Sequence, residues 1–256
     1  MENIKIMTDS ASDISVADEK RYNIAILPFQ VALGGKSYTS WVDFDNEQFF
    51  SLMAQYDEIP KTAQITPFEF QEIYLREAEA GVSDLILVLI NSKGSSTYDN
   101  SVMAVNLFFE EHPEYRNTFR VHTIDGMGYN ALYGEPVVQA AKMRENGTGA
   151  EEIVSYLKGI LPRRQIYFGI YDLKYAARSG RIPTAAAFLG TKLNLKPVMK
   201  IFDHGITTAA KCRGERNLIA KIAEMTAGDI EPGAPYELLY GCDTVCRDEL
   251  GKLMIF

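Results

Sequence analysis

The order of apolar and polar residues predicts alternating strands and helices through the first part of the chain. Short runs rich in Ile, Leu and Val have the composition of strands, and the segments between them carry apolar residues at helical spacing. The predicted strands are residues 4–8, 84–90 and 119–124. The predicted helices are residues 15–22, 45–56, 67–79, 96–111, 130–145 and 151–160. This alternation is typical of a parallel sheet covered by helices.

Turn and cap signals divide these elements. Gly34-Gly35 separates two strand-like runs and predicts a hairpin. Ser15 is suited to cap the first helix, because its hydroxyl accepts from a free backbone N–H. Thr66-Pro67-Phe68-Glu69 fits a capping box with proline at the first helical position. We therefore expect residues 60–65 to form a loop that leads into that helix.

The pattern changes after a predicted strand at residues 166–170. Residues 172–194 have helical character with a break at Ser179-Gly180, and Asp203-His204-Gly205 lies between two strand-like runs, which predicts a second hairpin. The last predicted elements are a helix at 215–226, a strand at 236–241 and a helix at 244–253. We expect an α/β fold of two domains. They are residues 1–162, with a mainly parallel sheet and flanking helices, and residues 163–256, a smaller α/β domain with an antiparallel or mixed sheet.

Composition excludes several classes of protein. The net charge of −8 argues against a broad nucleic-acid surface. The first residues lack the apolar run of a signal peptide, and no stretch is long and apolar enough to span a membrane. The three cysteines, Cys212, Cys242 and Cys246, do not form a disulfide framework, and buried thiols are the expected state of the last two. A soluble, reduced, cytoplasmic protein is expected.

The common catalytic motifs are missing from the sequence. No glycine-rich dinucleotide motif follows a strand, and no nucleophile elbow is present. Gly35-Lys36-Ser37 ends like a phosphate loop, but Gln30 stands where the first glycine belongs, so a hairpin is favoured. The three histidines are dispersed along the chain: His112, His122 and His204. We therefore expect no catalytic residue, no metal and no cofactor.

Hydroxyl-rich loops at the predicted strand ends are the strongest functional signal. They are Thr8-Asp9-Ser10, the segment around Thr62, and Ser92 to Thr97. Ligands of open parallel sheets bind beyond the carboxyl ends of the strands, and free N–H groups at a helix start favour an anion. Residues Ser95 and Ser96 are alternatively explained as caps of the following helix. The residue pattern leaves both interpretations open.

Many short segments, in matching order over nearly the whole chain, resemble the DegV family. The segments are IKIMTDSASDIS, ILPFQV, PKTAQ, SKGSSTY, VHTIDG, DLKYAARSGRI, LGTKLNLKPVMKI and KCRGERN. Each segment is weak by itself, but their order and spacing make the resemblance specific. Members of this family bind fatty acids, and several serve as the lipid-binding subunit of a bacterial fatty acid kinase.

The resemblance implies a set of site residues. Thr62 and Ser95, with Ser96 beside it, would bind the acyl carboxylate. Arg181 would lie near the carboxylate or the kinase surface, and Arg213 would face a partner. The second domain would close an apolar tunnel around the acyl chain.

The sequence also departs from the usual family pattern. Asn91, Gly94 and Ser96 replace a Ser, a Leu and a Gly of the serine-rich loop, and Ala63 and Gly126 stand where Ser is usual. The geometry of the loop is therefore expected to differ in detail. The chain ends before the histidine-containing segment that usually closes the family sequence, so lipid binding is better supported than kinase coupling.

The function expected from the sequence is fatty acid binding without catalysis by this chain. The protein would bind a long-chain fatty acid and present its carboxylate to a separate kinase subunit, with no nucleic-acid partner and no stable membrane insertion. One alternative is a serine hydrolase that uses Ser95 or Ser10, which would need a base beside the serine. A second alternative is a binding protein for a small polar anion, such as a sugar phosphate.

Overall fold

The computed structural model of the protein describes residues 2–170, 173–182, 195–231, 233–234 and 236–239. Its strands are β1 (Ile4–Asp9), β2 (Ala25–Leu27), β3 (Gln30–Leu33), β4 (Lys36–Thr39), β5 (Lys61–Ala63), β6 (Asp84–Leu89), β7 (Arg120–Asp125), β8 (Ile166–Gly169), β9 (Leu195–Phe202) and β10 (Gly205–Arg213). Its α-helices are α1 (Val16–Arg21), α2 (Asn46–Met53), α3 (Pro67–Glu79), α4 (Thr97–Glu111), α5 (Ala131–Glu145), α6 (Ala150–Ile160), α7 (Leu173–Arg178) and α8 (Glu215–Asp229). None of the helices in these described ranges is long and apolar enough to cross a membrane.

The chain forms two compact units. The first unit contains the residues up to Asp45 and the segment Pro60–Arg164. The second unit contains Asn46–Ile59 and the described residues from Gln165 onward. The division of the chain into domains of residues 1–162 and 163–256 remains a prediction.

A four-stranded parallel sheet organises the first unit. Its strand order is β2-β1-β6-β7, and every pair is parallel. All six residues of the central strand β6 are buried. Its sequence, DLILVL, is nearly all apolar because helices cover both faces of the sheet. This sheet confirms the predicted α/β fold.

The two faces of the parallel sheet are packed into separate cores. Because side chains alternate along a strand, Ile86 and Val88 face one core and Leu85 and Leu87 face the other. The first core is closed by residues of α5 and α6: Tyr133, Val137, Ala140, Ala141, Ala150, Ile153, Val154 and Leu157. The second core is closed by residues of α3 and α4: Phe70, Ile73, Tyr74, Ala78, Ala104 and Phe108. Both cores hold the loops at the sheet edge in fixed positions.

A separate antiparallel sheet completes the first unit, with strand order β4-β3-β5. The predicted hairpin between β3 and β4 is present, and Gly34 and Gly35 have φ values of 61° and 71°. Glycine suits this turn because both central residues need positive φ. The prediction of a loop over residues 60–65 is wrong, since β5 pairs with β3 through Thr62 and Val31. Local sequence does not reveal this strand because its three residues are exposed and its pairing partner is distant.

The second unit contains an antiparallel sheet of order β10-β9-β8, with α8 packed on one face. The predicted hairpin turns at Asp203 and His204, whose φ values are 46° and 65°. Within the helix predicted over residues 172–194, the structure describes a short helix, α7. Residues 183–194 of that prediction lie outside the described residues. Residues 236–239 form no strand, contrary to prediction, and the predicted helix at 244–253 lies outside the described residues.

A buried carboxylate holds the amino ends of the parallel strands. Asp84 of β6 has a fully buried side chain and accepts hydrogen bonds from Arg120 Nε at 2.8 Å and Arg120 Nη2 at 3.1 Å. His122 Nε2 lies 3.0 Å from the same carboxylate, and Ser83 Oγ donates to it at 2.9 Å. Burial by itself raises the pKa of Asp84, but these hydrogen bonds outweigh it and the net pKa is lowered.

Replacing Asp84 with Asn is predicted to lower the free energy of unfolding by about 1–3 kcal/mol near neutral pH, because an amide nitrogen replaces one of the two carboxylate oxygens that accept from Arg120. Since the folded-state pKa lies below 3.8, the contribution of Asp84 is present above that pH and is lost as the pH falls below it. Urea unfolding followed by the fluorescence of Trp41, the one tryptophan, measures the change. The matched control is Glu79→Gln, an exposed carboxylate at the end of α3, and an equal loss in both variants would contradict the prediction.

Candidate functional site

Three loops meet at the carboxyl edge of the parallel sheet. They follow β1, β6 and β7, which are neighbours in the sheet. Parallel strands end at the same edge, so the polar residues of these loops are gathered there without any closeness in sequence. This edge is also the start of α4, which follows the serine-rich loop.

The carboxylate of Asp9 joins these loops. Asp9 is fully buried at the end of β1, and its Oδ2 accepts from Ile90 N at 2.7 Å. Its Oδ1 accepts from Tyr133 Oη at 2.6 Å and from Ala11 N at 3.0 Å. A single side chain therefore holds the end of β1, the start of the serine-rich loop and helix α5 together. Burial raises the pKa of Asp9 from 3.8 to about 6, although these hydrogen bonds lower it.

Asn91 and Asp125 fix the shape of the serine-rich loop. Asn91 is fully buried, and its backbone carbonyl accepts from Gly94 N at 2.9 Å and from Ser95 N at 3.1 Å. Its side-chain oxygen accepts from Lys93 N at 3.0 Å. Asp125 Oδ1 accepts from Ser92 N at 3.2 Å, which ties the loop to the end of β7. The loop is thus held by backbone hydrogen bonds, which leaves its hydroxyl groups for other contacts.

The hydroxyl of Ser95 belongs to a short hydrogen-bonded array. Ser95 Oγ lies 2.9 Å from Thr97 Oγ1 and accepts from Thr97 N at 3.3 Å. Thr97 is fully buried, and Ser95 is half-buried. When the Thr97 hydroxyl donates to Ser95, the Ser95 hydroxyl keeps its own proton for a further acceptor. Ser95 is therefore equipped to donate to an anion at this position.

The start of α4 has free backbone donors. Ser96 occupies the N-cap position but its side chain makes no capping hydrogen bond, so the interpretation of Ser96 as a side-chain cap is wrong. Ser95 Oγ accepts from Thr97 N, the first N–H group of the helix. Among the described residues, none accepts from the N–H groups of Tyr98 and Asp99. Such free N–H groups carry partial positive charge and favour an anion.

Thr62 lies outside the parallel sheet. It belongs to β5 of the antiparallel sheet, where its side chain is exposed, so it is not part of a parallel strand as Asp9 is. That Thr62 lies close enough to Ser95 to share an anion remains a prediction. The chain after β5 nevertheless returns to the start of α4. Asn100 Nδ2 donates to the carbonyl of Ile65 at 2.8 Å, which anchors this segment to the first turn of the helix.

Arg181 and Arg213 both belong to the second unit. Arg181 follows Gly180, whose φ is 72°, and its exposed guanidinium donates to the carbonyl of Ser179 at 3.0 Å. Arg213 is the exposed last residue of β10 and pairs with Leu195. The roles of Thr62, Ser95, Ser96 and Arg181 in ligand binding remain predictions.

The candidate serine nucleophiles contact other hydroxyls. Ser10 Oγ lies 2.7 Å from Ser40 Oγ and accepts from Phe29 N at 3.1 Å, and Ser95 contacts Thr97 as described. Within the described part of the chain, neither serine is hydrogen-bonded to a histidine. The described part of the chain also contains no group of three or more His, Cys, Asp or Glu side chains that could hold a metal ion.

Gly126, which directly follows β7, has no room for a side chain. A Cβ atom at this position would lie 2.6 Å from the carbonyl oxygen of Leu89 and 2.8 Å from the ring of Tyr133. Gly126 N also donates to the Leu89 carbonyl at 2.7 Å. The Leu89 carbonyl and the side chain of Tyr133, whose hydroxyl donates to Asp9, therefore take the space that a side chain would need here.

Sequence reasoning placed Asp9 and Asn91 in the candidate loops but did not assign them, or Asp125, the role of organising the site. A usable signal was present, because each of them lies at or within two residues of the end of a parallel strand. Tyr133 could not have been found in the same way. It is 124 positions from Asp9 and lies inside a predicted helix.

The chain matches the family model described as "Uncharacterised protein, DegV family" over residues 3–252. The chain belongs to the DegV family. A DegV domain-containing protein of Caldanaerobacter subterraneus subsp. tengcongensis is 31% identical over 224 residues, which cover 88% of this chain and 76% of that protein.

Solved structures of DegV proteins have the same fold. A DegV family protein of Thermus thermophilus, described by its fatty acid binding, has a TM-score of 0.74 at 27% identity and covers 89% of this chain and 78% of its own. A fatty acid binding DegV family protein of Streptococcus agalactiae has a TM-score of 0.83 at 19% identity, over 99% of this chain and 88% of its own. The second likeness concerns the fold alone.

The raised pKa of Asp9 predicts a stability difference that depends on pH. The folded pKa, about 6, lies above the unfolded value of 3.8, so this carboxylate's contribution to stability falls as the pH rises between them. Asn at position 9 does not titrate. The free energy of unfolding of Asp9→Asn should therefore improve relative to the parent by about 3 kcal/mol between about pH 4 and about pH 7.

Urea unfolding of both proteins across this range measures the change. Asp84→Asn is the contrasting control, because the pKa of Asp84 is lowered and its contribution changes in the opposite direction, below about pH 4. A difference between Asp9→Asn and the parent that stays constant over the range would contradict the raised pKa.

Proposed function

We propose that this protein binds a long-chain fatty acid and holds its carboxylate at the serine-rich loop. The observation that carries the proposal is the group of neutral donors at the start of α4. It combines the Ser95 hydroxyl with the N–H groups of Tyr98 and Asp99. The DegV family protein of Thermus thermophilus, which is described by its fatty acid binding, supports this assignment of the ligand.

The two ends of a fatty acid would contribute differently to binding. A chain of about 15 methylenes gains roughly 12 kcal/mol on burial, at about 0.8 kcal/mol per methylene. Lost freedom of the ligand and protein removes a large part of that gain. A carboxylate cannot be buried without partners, so its donors set which head group is accepted. Ser95 and Ser96 would donate from the serine-rich loop, Thr62 from β5, and Arg181 would add positive charge.

In this proposal the chain is a non-catalytic subunit. Formation of an acyl phosphate needs ATP and metal, held by a phosphate-binding apparatus. The sequence carries no motif for one. A separate kinase would therefore act on the carboxylate that this protein presents.

The hydrolase alternative has less support. A serine nucleophile needs an adjacent base, whereas Ser10 and Ser95 are each paired with another hydroxyl. A small-anion-binding protein remains the competing proposal, because the same donors would suit a phosphate. The mass of the natural ligand distinguishes the two.

Native mass spectrometry of the purified protein provides the first test. We expect the folded protein to carry an added mass equal to that of a long-chain fatty acid, and denaturation should release it. A bound sugar phosphate, or a protein that takes up no fatty acid when it is offered, would overturn the proposal.

Replacement of the head-group donors provides the second test. Ser95→Ala and Thr62→Ala should each weaken fatty acid binding about ten- to a hundredfold, because a hydrogen bond to a charged group contributes about 1.5–3 kcal/mol. Fluorescent fatty acid displacement gives the affinities, and thermal melting gives the stabilities. The matched control is Ser155→Ala, an exposed serine of α6.

The same measurements separate binding from simple capping. If Ser95 serves only the helix start, Ser95→Ala should lower stability by about 1 kcal/mol and leave fatty acid affinity unchanged. Unchanged affinity in both Ser95→Ala and Thr62→Ala would exclude the proposed carboxylate site.

Arg181 is expected to matter more for presentation than for affinity. Its guanidinium is exposed, and its one described side-chain hydrogen bond is to the carbonyl of Ser179 in its own turn. Arg181→Ala should lower the rate of acyl phosphate formation by a cognate kinase more than it lowers fatty acid affinity. Arg216→Ala, at another exposed arginine of the second unit, is the control. An unaltered kinase rate for Arg181→Ala would remove this residue from the proposal.

A further inference from the structure

Gly94 of the serine-rich loop is covered by the side chain of Tyr129. A Cβ atom at position 94 would lie 2.1 Å from Tyr129 Oη and 2.9 Å from Tyr129 Cζ. The φ of Gly94 is not in the left-handed region, so its backbone conformation does not require glycine. Position 94 is therefore glycine because the tyrosine hydroxyl occupies the space.

The backbone on both sides of Tyr129 is held in place. Asn91 N donates to the carbonyl of Gly128 at 3.1 Å, and Asn130 N donates to the carbonyl of Ala11 at 3.0 Å. Met127 and Asn130 both have a φ of 56°. Positive φ is unfavourable for non-glycine residues and persists where the surrounding structure enforces it. The loop after β7 is thus bent so that Tyr129 lies over the serine-rich loop.

The phenol oxygen lies against the residue that precedes Ser95 in the serine-rich loop. It contacts Gly94, and Gly94 directly precedes Ser95 in the chain. The side chain of Tyr129 is half-buried, so part of it remains accessible. A phenol hydroxyl donates a hydrogen bond without carrying a charge.

The local charge increases the need for such a donor. Burial, followed by the carboxylates of Asp125 and Asp99, raises the pKa of Tyr98 at the start of α4. These carboxylates therefore act on the same region in which the fatty acid carboxylate is proposed to bind. Like charges repel, so each additional neutral donor offsets part of that repulsion.

We propose that Tyr129 is a specificity-determining residue, whose hydroxyl donates a hydrogen bond to the ligand's carboxylate. This inference rests on the proposed fatty acid site and adds a residue to it from a third loop. Gly94 has a matching role, because any side chain at that position would displace the hydroxyl. The two residues together would favour an ionised head group over an uncharged one.

The test compares two ligands that have the same tail, hexadecanoic acid and hexadecanol. Tyr129→Phe should weaken binding of the acid about tenfold and change binding of the alcohol less than about twofold, because a hydrogen bond to a charged group is the stronger one. Gly94→Ala should have the same selective effect, since its methyl group takes the place of the hydroxyl. The double variant should bind the acid no more weakly than Gly94→Ala alone, because the two substitutions remove the same hydrogen bond from Tyr129.

Tyr22→Phe is the matched control, since this half-buried tyrosine follows α1 and lies far along the chain from the site. Both affinities should match those of the parent. Thermal midpoints show whether each variant folds. Equal binding of the acid by Tyr129→Phe and the parent would overturn this inference alone, and so would an equal loss for acid and alcohol. Failure of the parent to bind the acid would instead overturn the proposed function as well.

Discussion

The buried carboxylate of Asp9 is the interaction on which the arrangement of the site depends. An unpaired carboxylate could not remain in such a position, because burial of a charge without partners is strongly unfavourable. Its hydrogen bonds to Ile90, Ala11 and Tyr133 meet that requirement and at the same time fix two loops and a helix. The raised pKa of Asp9 reflects the cost of this burial. The serine-rich loop begins at Ile90, so its starting point is set by Asp9.

From that starting point the loop presents neutral donors. Backbone N–H groups of the loop donate to Asn91 and Asp125, and the hydroxyls of Ser95 and Thr97 contact each other. The ion pair of Arg120 with the buried Asp84 lies at the opposite edge of the sheet. The two edges therefore have different physical roles. Ion pairs stabilise the amino edge, and hydroxyl and N–H groups at the carboxyl edge are suited to an anionic ligand.

Two glycines record how closely these loops approach their neighbours. Gly94 leaves space for Tyr129, and Gly126 leaves space for Tyr133. At Gly94 the Tyr129 hydroxyl takes the space that a Cβ atom would need, and at Gly126 the Leu89 carbonyl and the Tyr133 side chain take it. Protein interiors leave little unoccupied space, so a side chain added at either position would have to displace these groups.

The sequence by itself determined strands β1, β6 and β7 with the helices between and after them, both hairpins and the capping box at Thr66, because these depend on residues that are close together in the chain. It also identified the serine-rich loop, whose binding role is still a prediction. Only the tertiary structure decided that Thr62 lies in a paired strand, that Tyr133 bonds to Asp9 and that Tyr129 covers Gly94. Those contacts join residues far apart in the chain, and they form only when both faces of the sheet are packed. Spacing along the sequence carries no record of them.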